Sequence, residues 1–288
     1  MNRGVLLALS AYIFWGLHPI YWKLLKDVPS VEILSHRILW SLVFFIVIIS
    51  FRKGWQGLKN KLKNSNNKLL LFLPAFLIGS NWALYIWAVN ANYIIETSLG
   101  YFICPLVSVF LGVFFLKERL LRMQWIAIII ASIGVLIMTF VYGQFPWIAI
   151  YLAGSWGLYG LLRKKSPFNA IEGLTIETTL MIIPVLIYLI YLEITGSASF
   201  LINPQTSFLL IGTGIISGLP LIVFIVGSRL IKLSLIGILQ YVYPIVILLI
   251  GVFIYNEPLT ESRIIGFIFI WIGIIVYIAN EIRFRKSA

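Results

Sequence analysis

One apolar stretch occurs twice in the chain, and this repetition constrains the fold more than any other feature. The first copy runs from Ser98 to Glu118 and the second from Gly237 to Glu257. Adding 139 to the numbers of the first copy aligns the two without a gap and places Pro105 on Pro244. Matched proline, glycine and glutamate positions at one offset indicate an internal duplication.

The apolar stretches predict an all-α polytopic membrane protein. The chain is 61% hydrophobic and only 11% charged, whereas a soluble domain is about 45–50% apolar and about 25% charged. Apolar runs of roughly 20 residues match the length of a helix that crosses a hydrocarbon layer. In lipid the backbone must satisfy its own hydrogen bonds, so these runs are helices rather than open strands.

We predict ten transmembrane helices joined by short connections. Their approximate ranges are 4–23, 31–51, 69–90, 95–116, 122–141, 146–162, 171–192, 207–228, 234–255 and 262–282. The longest connection, 52–68, is polar and rich in Asn and Lys, which predicts a surface loop.

The basic residues predict the orientation. With the N-terminus in the cytoplasm, 18 of the 22 Lys and Arg residues fall in cytoplasmic segments and 3 outside, and Arg37 lies within a helix. Cytoplasmic loops of membrane proteins carry such an excess. We therefore place both termini in the cytoplasm, and the net charge of +12 needs no nucleic-acid partner.

The duplication predicts two inverted halves, residues 1–142 and 143–288. Each half has five helices, an odd number, so the second half enters the membrane from the opposite side. Inverted repeats of this kind are found in many secondary transporters.

Polar and aromatic side chains within the predicted helices are candidates for a substrate cavity. Asn81 and Tyr85 share a helix face, and Tyr101 and Gln240 occupy equivalent positions of the repeat. The predicted lining is Trp15, His18, Asn81, Tyr85, Tyr101, Trp156, Tyr159, Gln240 and Tyr243. It suits a small amphipathic or aromatic solute. The alternatives are interfacial aromatic belts, favoured for Trp22, Trp55 and Trp147, and hydrogen bonds between helices.

Two charged residues, Arg37 and Glu177, fall well inside predicted helices at equivalent positions of the repeat. Since the halves are inverted, we expect them near opposite faces and not paired with each other. A structural ion pair or snorkelling would explain them without any functional role. The functional hypothesis makes Glu177 or His18 a proton-coupling group.

Prolines within helices kink them. The equivalent pair Pro105 and Pro244 is a candidate hinge for alternating access, and a static kink is the alternative.

Several stretches resemble the RarD branch of the EamA-domain transporters, in the drug/metabolite transporter superfamily. They are His36-Arg-Ile-Leu-Trp-Ser41, Asn81-Trp-Ala-Leu-Tyr-Ile-Trp-Ala-Val-Asn90, Ser98-Leu-Gly-Tyr-Phe102, Tyr159-Gly-Leu-Leu-Arg-Lys164 and Leu239-Gln-Tyr241. The resemblance implies a ten-helix inverted-repeat carrier with a central cavity. It also implies Asn before the proline of the fourth helix, where this chain has Cys104.

The sequence therefore predicts a secondary transporter of small organic solutes (amino-acid-like metabolites or amphipathic drugs) that works by alternating access, with export as one direction. A polytopic membrane enzyme acting on lipids is the alternative. The sequence contains no His-Glu-x-x-His, Gly-x-Ser-x-Gly or Walker A motif, and we expect no catalytic residues, metal or cofactor.

The expected partners are a small-molecule substrate and the lipid bilayer of the plasma membrane, with no nucleic acid. A monomer already contains both halves, so the oligomeric prediction is a monomer or a weak homodimer. Gly134 and Gly273 offer a packing surface for a second copy.

Overall fold

The computed structural model describes residues 3–64, 69–91, 93–255 and 261–287. Glu257, one member of the repeated glutamate pair, lies outside them. Within the described residues the chain forms twelve helices and no strand: α1 (Arg3–Lys23), α2 (Ser30–Phe51), α3 (Trp55–Asn64), α4 (Leu69–Asn90), α5 (Ile94–Leu116), α6 (Arg122–Tyr142), α7 (Trp147–Lys165), α8 (Ala170–Ile194), α9 (Pro204–Leu230), α10 (Leu233–Gln240), α11 (Val242–Phe253) and α12 (Glu261–Ser287).

Most of these helices have the length and composition of membrane spans. In the described part of the chain, eight helical segments meet both conditions, with α10 and α11 counted as one segment. The apolar part of α12, Ile264–Asn280, is shorter. Large apolar side chains such as Ile183 and Phe208 are exposed on the outside of the bundle, as a surface in contact with lipid requires.

Two features differ from the sequence prediction. The prediction of a surface loop over 52–68 is wrong for α3, a short helix that exposes Lys59 and Lys63 and buries Leu58. The predicted span 234–255 is divided at Tyr241 into α10 and α11. Pro244 explains the division, because it has no N–H to donate and its ring clashes with the carbonyl of residue i−4, Gln240.

Consecutive membrane-length helices run in opposite directions, so the connections gather at two ends. The α1–α2 end contains residues 24–29, 91, 93, 143–146 and 195–203, and the α7–α8 end contains residues 52–54, 117–121, 166–169 and 231–232. Contacts across each end agree with this arrangement. The buried Glu32 accepts hydrogen bonds from Ser199 N and Oγ, at 2.7 and 2.8 Å, at the first end. Lys61 Nζ lies 2.7 Å from Glu172 Oε2 at the second.

Helices α6 and α12 pack closely against each other. A Cβ at Gly134 would lie 2.7 Å from the carbonyl oxygen of Gly266, and one at Gly273 would lie 2.7 Å from that of Ala127. These approaches are too short for any larger residue. The glycines considered above as a surface for a second copy are therefore used within the molecule.

Candidate substrate cavity

A cavity of about 500 Å³ lies among α1, α2, α4, α5, α7, α9, α10, α11 and α12, nearer the α1–α2 end. Its lining includes Trp22 in the last turn of α1, Ser98 in the first turns of α5 and Val252 near the end of α11. The sequence-predicted residues that line it are Trp15, His18, Asn81, Tyr85, Tyr101, Trp156, Gln240, Tyr243, Arg37 and Pro244. Tyr159, Glu177 and Pro105 are not part of the lining.

Three tyrosines from three helices form one wall. The ring centroids of Tyr85 in α4 and Tyr101 in α5 are 6.0 Å apart, and those of Tyr101 and Tyr243 in α11 are 4.9 Å apart. Each ring combines an apolar face with a hydroxyl that can donate and accept a hydrogen bond. This wall can therefore contact both the apolar and the polar parts of an organic molecule.

Two tryptophans at equivalent positions of the repeat form a second wall. The ring centroids of Trp15 and Trp156 are 5.4 Å apart in an edge-to-face arrangement, and both rings pack against Phe224 at 5.5 Å. Edge-to-face contacts are a favoured geometry for aromatic pairs. The packing fixes a broad apolar surface on this side of the cavity.

Arg37 is the positively charged residue of the cavity lining. Its guanidinium carbon lies 4.1 Å from the ring centroid of Trp82 and 6.0 Å from that of Trp22. These are cation–π distances. Trp82 was not singled out in the sequence, although it directly follows Asn81. Trp22 was assigned to an interfacial belt, but the structure places it in the cavity lining. There α2 brings the Arg37 guanidinium close to the ring of Trp22, at the end of α1.

The remaining polar side chains of the lining differ in their bonding. His18 Nε2 lies 3.1 Å from the carbonyl oxygen of Ile216, so this nitrogen donates to it. Asn81 Nδ2 donates at 2.9 Å to both Leu152 O and Ser155 Oγ, which ties α4 to α7. Gln240 is 5% exposed, and its Oε1 has no hydrogen-bond partner among the described residues.

Cys104 is a buried member of the lining. Its Sγ lies 3.8 Å from the carbonyl oxygen of Ala153, within reach of the weak hydrogen bond that a thiol donates. The departure from the expected Asn thus leaves the cavity with a less polar group at this position.

A buried charged cluster lies outside the cavity, toward the α7–α8 end. Tyr159 donates to Glu177 Oε2 at 3.0 Å, and Arg163 Nη1 lies 3.5 Å from Glu177 Oε1. Tyr159, expected in the cavity, is fully buried here because its hydroxyl is held by Glu177. As expected, Glu177 does not pair with Arg37. Arg163 was missed, because it precedes Lys164 and Lys165 and resembled a charge of a cytoplasmic loop.

Further contacts close the α7–α8 end. Glu118 accepts hydrogen bonds from Leu233 N at 2.7 Å, Ser234 N at 2.9 Å and Ser234 Oγ at 2.7 Å, at the start of α10. A carboxylate there satisfies helix N–H groups that have no partner inside the helix. Arg229 donates to the carbonyl oxygens of Arg163 and Ser166 at 3.0 and 3.1 Å.

The two prolines of the repeat have different local structures. Helix α5 continues through Pro105, whereas the chain is interrupted at Tyr241, three residues before Pro244. Pro105 lies where α5 meets α10, since a Cβ at Gly237 would be 2.5 Å from its carbonyl oxygen. Only Pro244 therefore has both the cavity beside it and a helix break next to it.

Comparisons with known proteins agree with this architecture. The model of the EamA-like transporter family matches residues 2–140 and again residues 146–279. One solved crystal structure has the same fold, with a TM-score of 0.72 over 96% of this chain and 97% of the other, at 16% sequence identity. The chain belongs to the EamA-like transporter family and is a membrane transporter of the drug/metabolite class.

Curated relatives define the branch. The chain is 42% identical to the uncharacterized transporter YojE of Bacillus subtilis, over 100% of this chain and 97% of the relative. It is 41% identical to protein RarD of Escherichia coli, over 98% and 95%. At 30% identity, over 96% and 93%, it also matches the chloramphenicol-sensitive protein RarD of Pseudomonas aeruginosa. It is thus a RarD-branch, multi-pass protein of the plasma membrane.

Proposed function

We propose that this chain is a secondary transporter that moves small organic solutes, such as amphipathic drugs or amino-acid-like metabolites, by alternating access. The observation that carries the proposal is the 500 Å³ cavity with polar and aromatic walls inside an apolar helix bundle. Ligand pockets for small organic molecules have about this size and kind of lining.

The second part of the proposal is the topology. We infer two inverted five-helix repeats, residues 1–142 and 143–288, with both termini in the cytoplasm. Contacts between equivalent residues support it. Trp15 packs on Trp156, and Tyr241 donates a hydrogen bond at 3.3 Å to the carbonyl oxygen of Phe102, its equivalent in the first half. The double match of the family model also supports it.

We infer that the conformation of this structure is an outward-facing state. The cavity lies toward the α1–α2 end, which the distribution of Lys and Arg places outside. Glu118, Arg163 and Arg229 tie the opposite end together. Transport requires these contacts to open while the walls near the α1–α2 end close.

His18 is the group that we propose for coupling to protons. It lines the cavity, whereas Glu177 is held by Arg163 and Tyr159 outside the lining. An imidazole ring can bind and release a proton. His18→Gln is expected to bring the ratio of uptake with and without a pH gradient close to one. An unchanged ratio would remove His18 from this role.

The test of transport is uptake into proteoliposomes of purified protein, using radiolabelled amino acids and small amphipathic drugs. Saturable uptake of one solute class is expected. Trp156→Ala should raise the half-saturation concentration because it removes a cavity wall. Trp125→Ala, at an exposed tryptophan of α6, is the matched control and should leave it unchanged. Modification of the liposome lipids without solute uptake would favour the membrane enzyme instead.

A further inference from the structure

The cavity contains one cationic side chain and no acidic one. Arg37 lines it, and no Asp or Glu is among its described lining residues. Five described glutamates are engaged elsewhere: Glu32, Glu96, Glu118, Glu172 and Glu177. Arg37 is therefore the one permanently charged side chain among the described lining residues.

The guanidinium of Arg37 keeps its hydrogen-bonding capacity unused. No described residue accepts a hydrogen bond from it or forms an ion pair with it, and its Nε is buried without a partner. The contact with Trp82 at 4.1 Å engages the positive charge but none of the N–H donors. Arginine offers five such donors in a fork that matches the two oxygens of a carboxylate.

A charge placed in a membrane-spanning helix is costly, and such residues usually face a partner or a functional cavity. Arg37 faces the cavity and lacks a protein partner, so an anion in the cavity is the partner that fits. The tyrosine wall stands within electrostatic range of it, through Tyr85, Tyr101 and Tyr243. Their hydroxyl groups can add neutral donors to an anion.

We propose that the transported solute is an organic monoanion whose carboxylate binds Arg37, and whose apolar or aromatic body packs against Trp15 and Trp156. A single cation balances one negative charge, which favours a carboxylate over a doubly charged phosphate. The unpartnered Gln240 Oε1 accepts one neutral N–H or O–H group of the solute. This inference rests on the proposed function and names the chemistry of its substrate.

The test compares three probes that differ only in their polar group: 3-phenylpropionate, 3-phenylpropanamide and 3-phenylpropylamine. Their binding to the purified protein in nanodiscs is measured by calorimetry. The carboxylate is expected to bind about tenfold or more tightly than the amide, since only the carboxylate forms a bidentate ion pair with the guanidinium. The amine should bind most weakly. Equal affinities of the wild-type protein for the acid and the amide, or no binding of the acid, would overturn the inference.

Substitutions of Arg37 test whether its charge causes the preference for the acid. Arg37→Gln should lower the affinity for the acid on the order of tenfold and leave the affinity for the amide nearly unchanged. Arg37→Lys should recover part of the loss, because it keeps the charge but not the fork. Arg52→Gln, at an exposed arginine just after α2, should change neither. An unchanged affinity of Arg37→Gln for the acid would contradict the proposal.

Flux measurements separate this inference from the transport function. Acid binding through Arg37 without any uptake into proteoliposomes would leave the site standing and refute transport. Saturable uptake of 3-phenylpropionate at equal rates by the wild type and Arg37→Gln would support transport and refute the anion site.

Discussion

Two arginines within the helices of this bundle have opposite surroundings. Arg163 pairs with Glu177 and also donates to the carbonyl oxygens of Asn169 and Ala170. Arg37 lies against the aromatic faces of Trp82 and Trp22 and has no ion-pair partner among the described residues. Charge at the centre of a membrane helix costs about 2.5–3.5 kcal/mol on insertion scales. In the pair each charge compensates the other, whereas the isolated arginine is a cost that ligand binding can offset.

Glu177→Gln should strongly destabilise the protein. It removes the negative partner and leaves the Arg163 guanidinium buried with uncompensated charge, which typically costs about 3–5 kcal/mol. The measurement is thermal unfolding of the purified variant in detergent. Glu193→Gln, at an exposed position of the same helix, should be neutral. Equal midpoints for the two variants would show that the ion pair contributes nothing.

Arg37→Gln should leave the thermal midpoint unchanged or raise it. No ion pair or hydrogen bond among the described residues is lost, and an unpaired charge is removed from the membrane interior. The same unfolding assay measures it. A loss as large as that of Glu177→Gln would show that Arg37 has a structural partner and would weaken its assignment to a ligand.

Single residues were predictable where their pattern was local. Trp15, His18 and Gln240 could be placed because polar and aromatic groups stood out within apolar runs. Arg163 could not be recognised in this way, since it precedes Lys164 and Lys165 and resembled a cytoplasmic loop charge. Its partner lies on the next helix, and only the packing of α7 against α8 reveals the pair.

Among the helices, the break between α10 and α11 is the feature best suited to a conformational change. Its interruption beside Pro244 leaves Gln240 at the end of α10, where its side chain lines the cavity. A broken helix exposes backbone groups that only a cavity or a neighbouring helix can satisfy in a membrane. Movement at this break would change the binding site and the helix ends together.

Pro244→Ala should slow transport. The new N–H can bond to the Gln240 carbonyl and make one continuous helix from α10 and α11. Initial uptake rates and amide hydrogen exchange over 238–246 should both fall. Pro184→Ala, at an exposed proline within α8, is the control and should not affect uptake. If uptake by Pro244→Ala is as fast as that of the wild type, this proline is a static kink.

Glu118→Ala should loosen the α7–α8 end. It removes three hydrogen bonds at the start of α10, and loss of a helix cap typically costs about 0.5–2 kcal/mol. Hydrogen exchange at Leu233 and Ser234 should rise by at least several-fold. No change there would mean that other contacts hold this end without Glu118.

The helices themselves were largely predictable, because apolar runs of membrane length leave few alternatives. The predicted ranges fall on α1, α2, α4 to α9 and α12 within a few residues. Helix α3 was missed because it is short and mostly polar, so its single buried Leu58 carried too little signal. The break at Tyr241 was missed because Pro105, in the equivalent position, interrupts nothing.

In the whole molecule, the cavity and the tied α7–α8 end are the two parts of the alternating-access mechanism that we propose. The cavity residues come from helices of both predicted halves, and the tied α7–α8 end separates them from the other side. A sequence can predict two similar halves, but the conformation adopted depends on a small difference in free energy between two arrangements of the helices. Which end is closed therefore became visible only in the structure.

Cysteine accessibility tests alternating access most directly. In a Cys104→Ser background, Ser98→Cys reports on the cavity and Ser228→Cys on the buried α7–α8 end. An impermeant maleimide is applied from each side of oriented vesicles, with and without a transported solute. We expect opposite changes: when the solute drives the carrier inward, labelling at 98 from outside falls and labelling at 228 from the cytoplasmic side rises. Parallel changes at both positions, or none at 228, would contradict it.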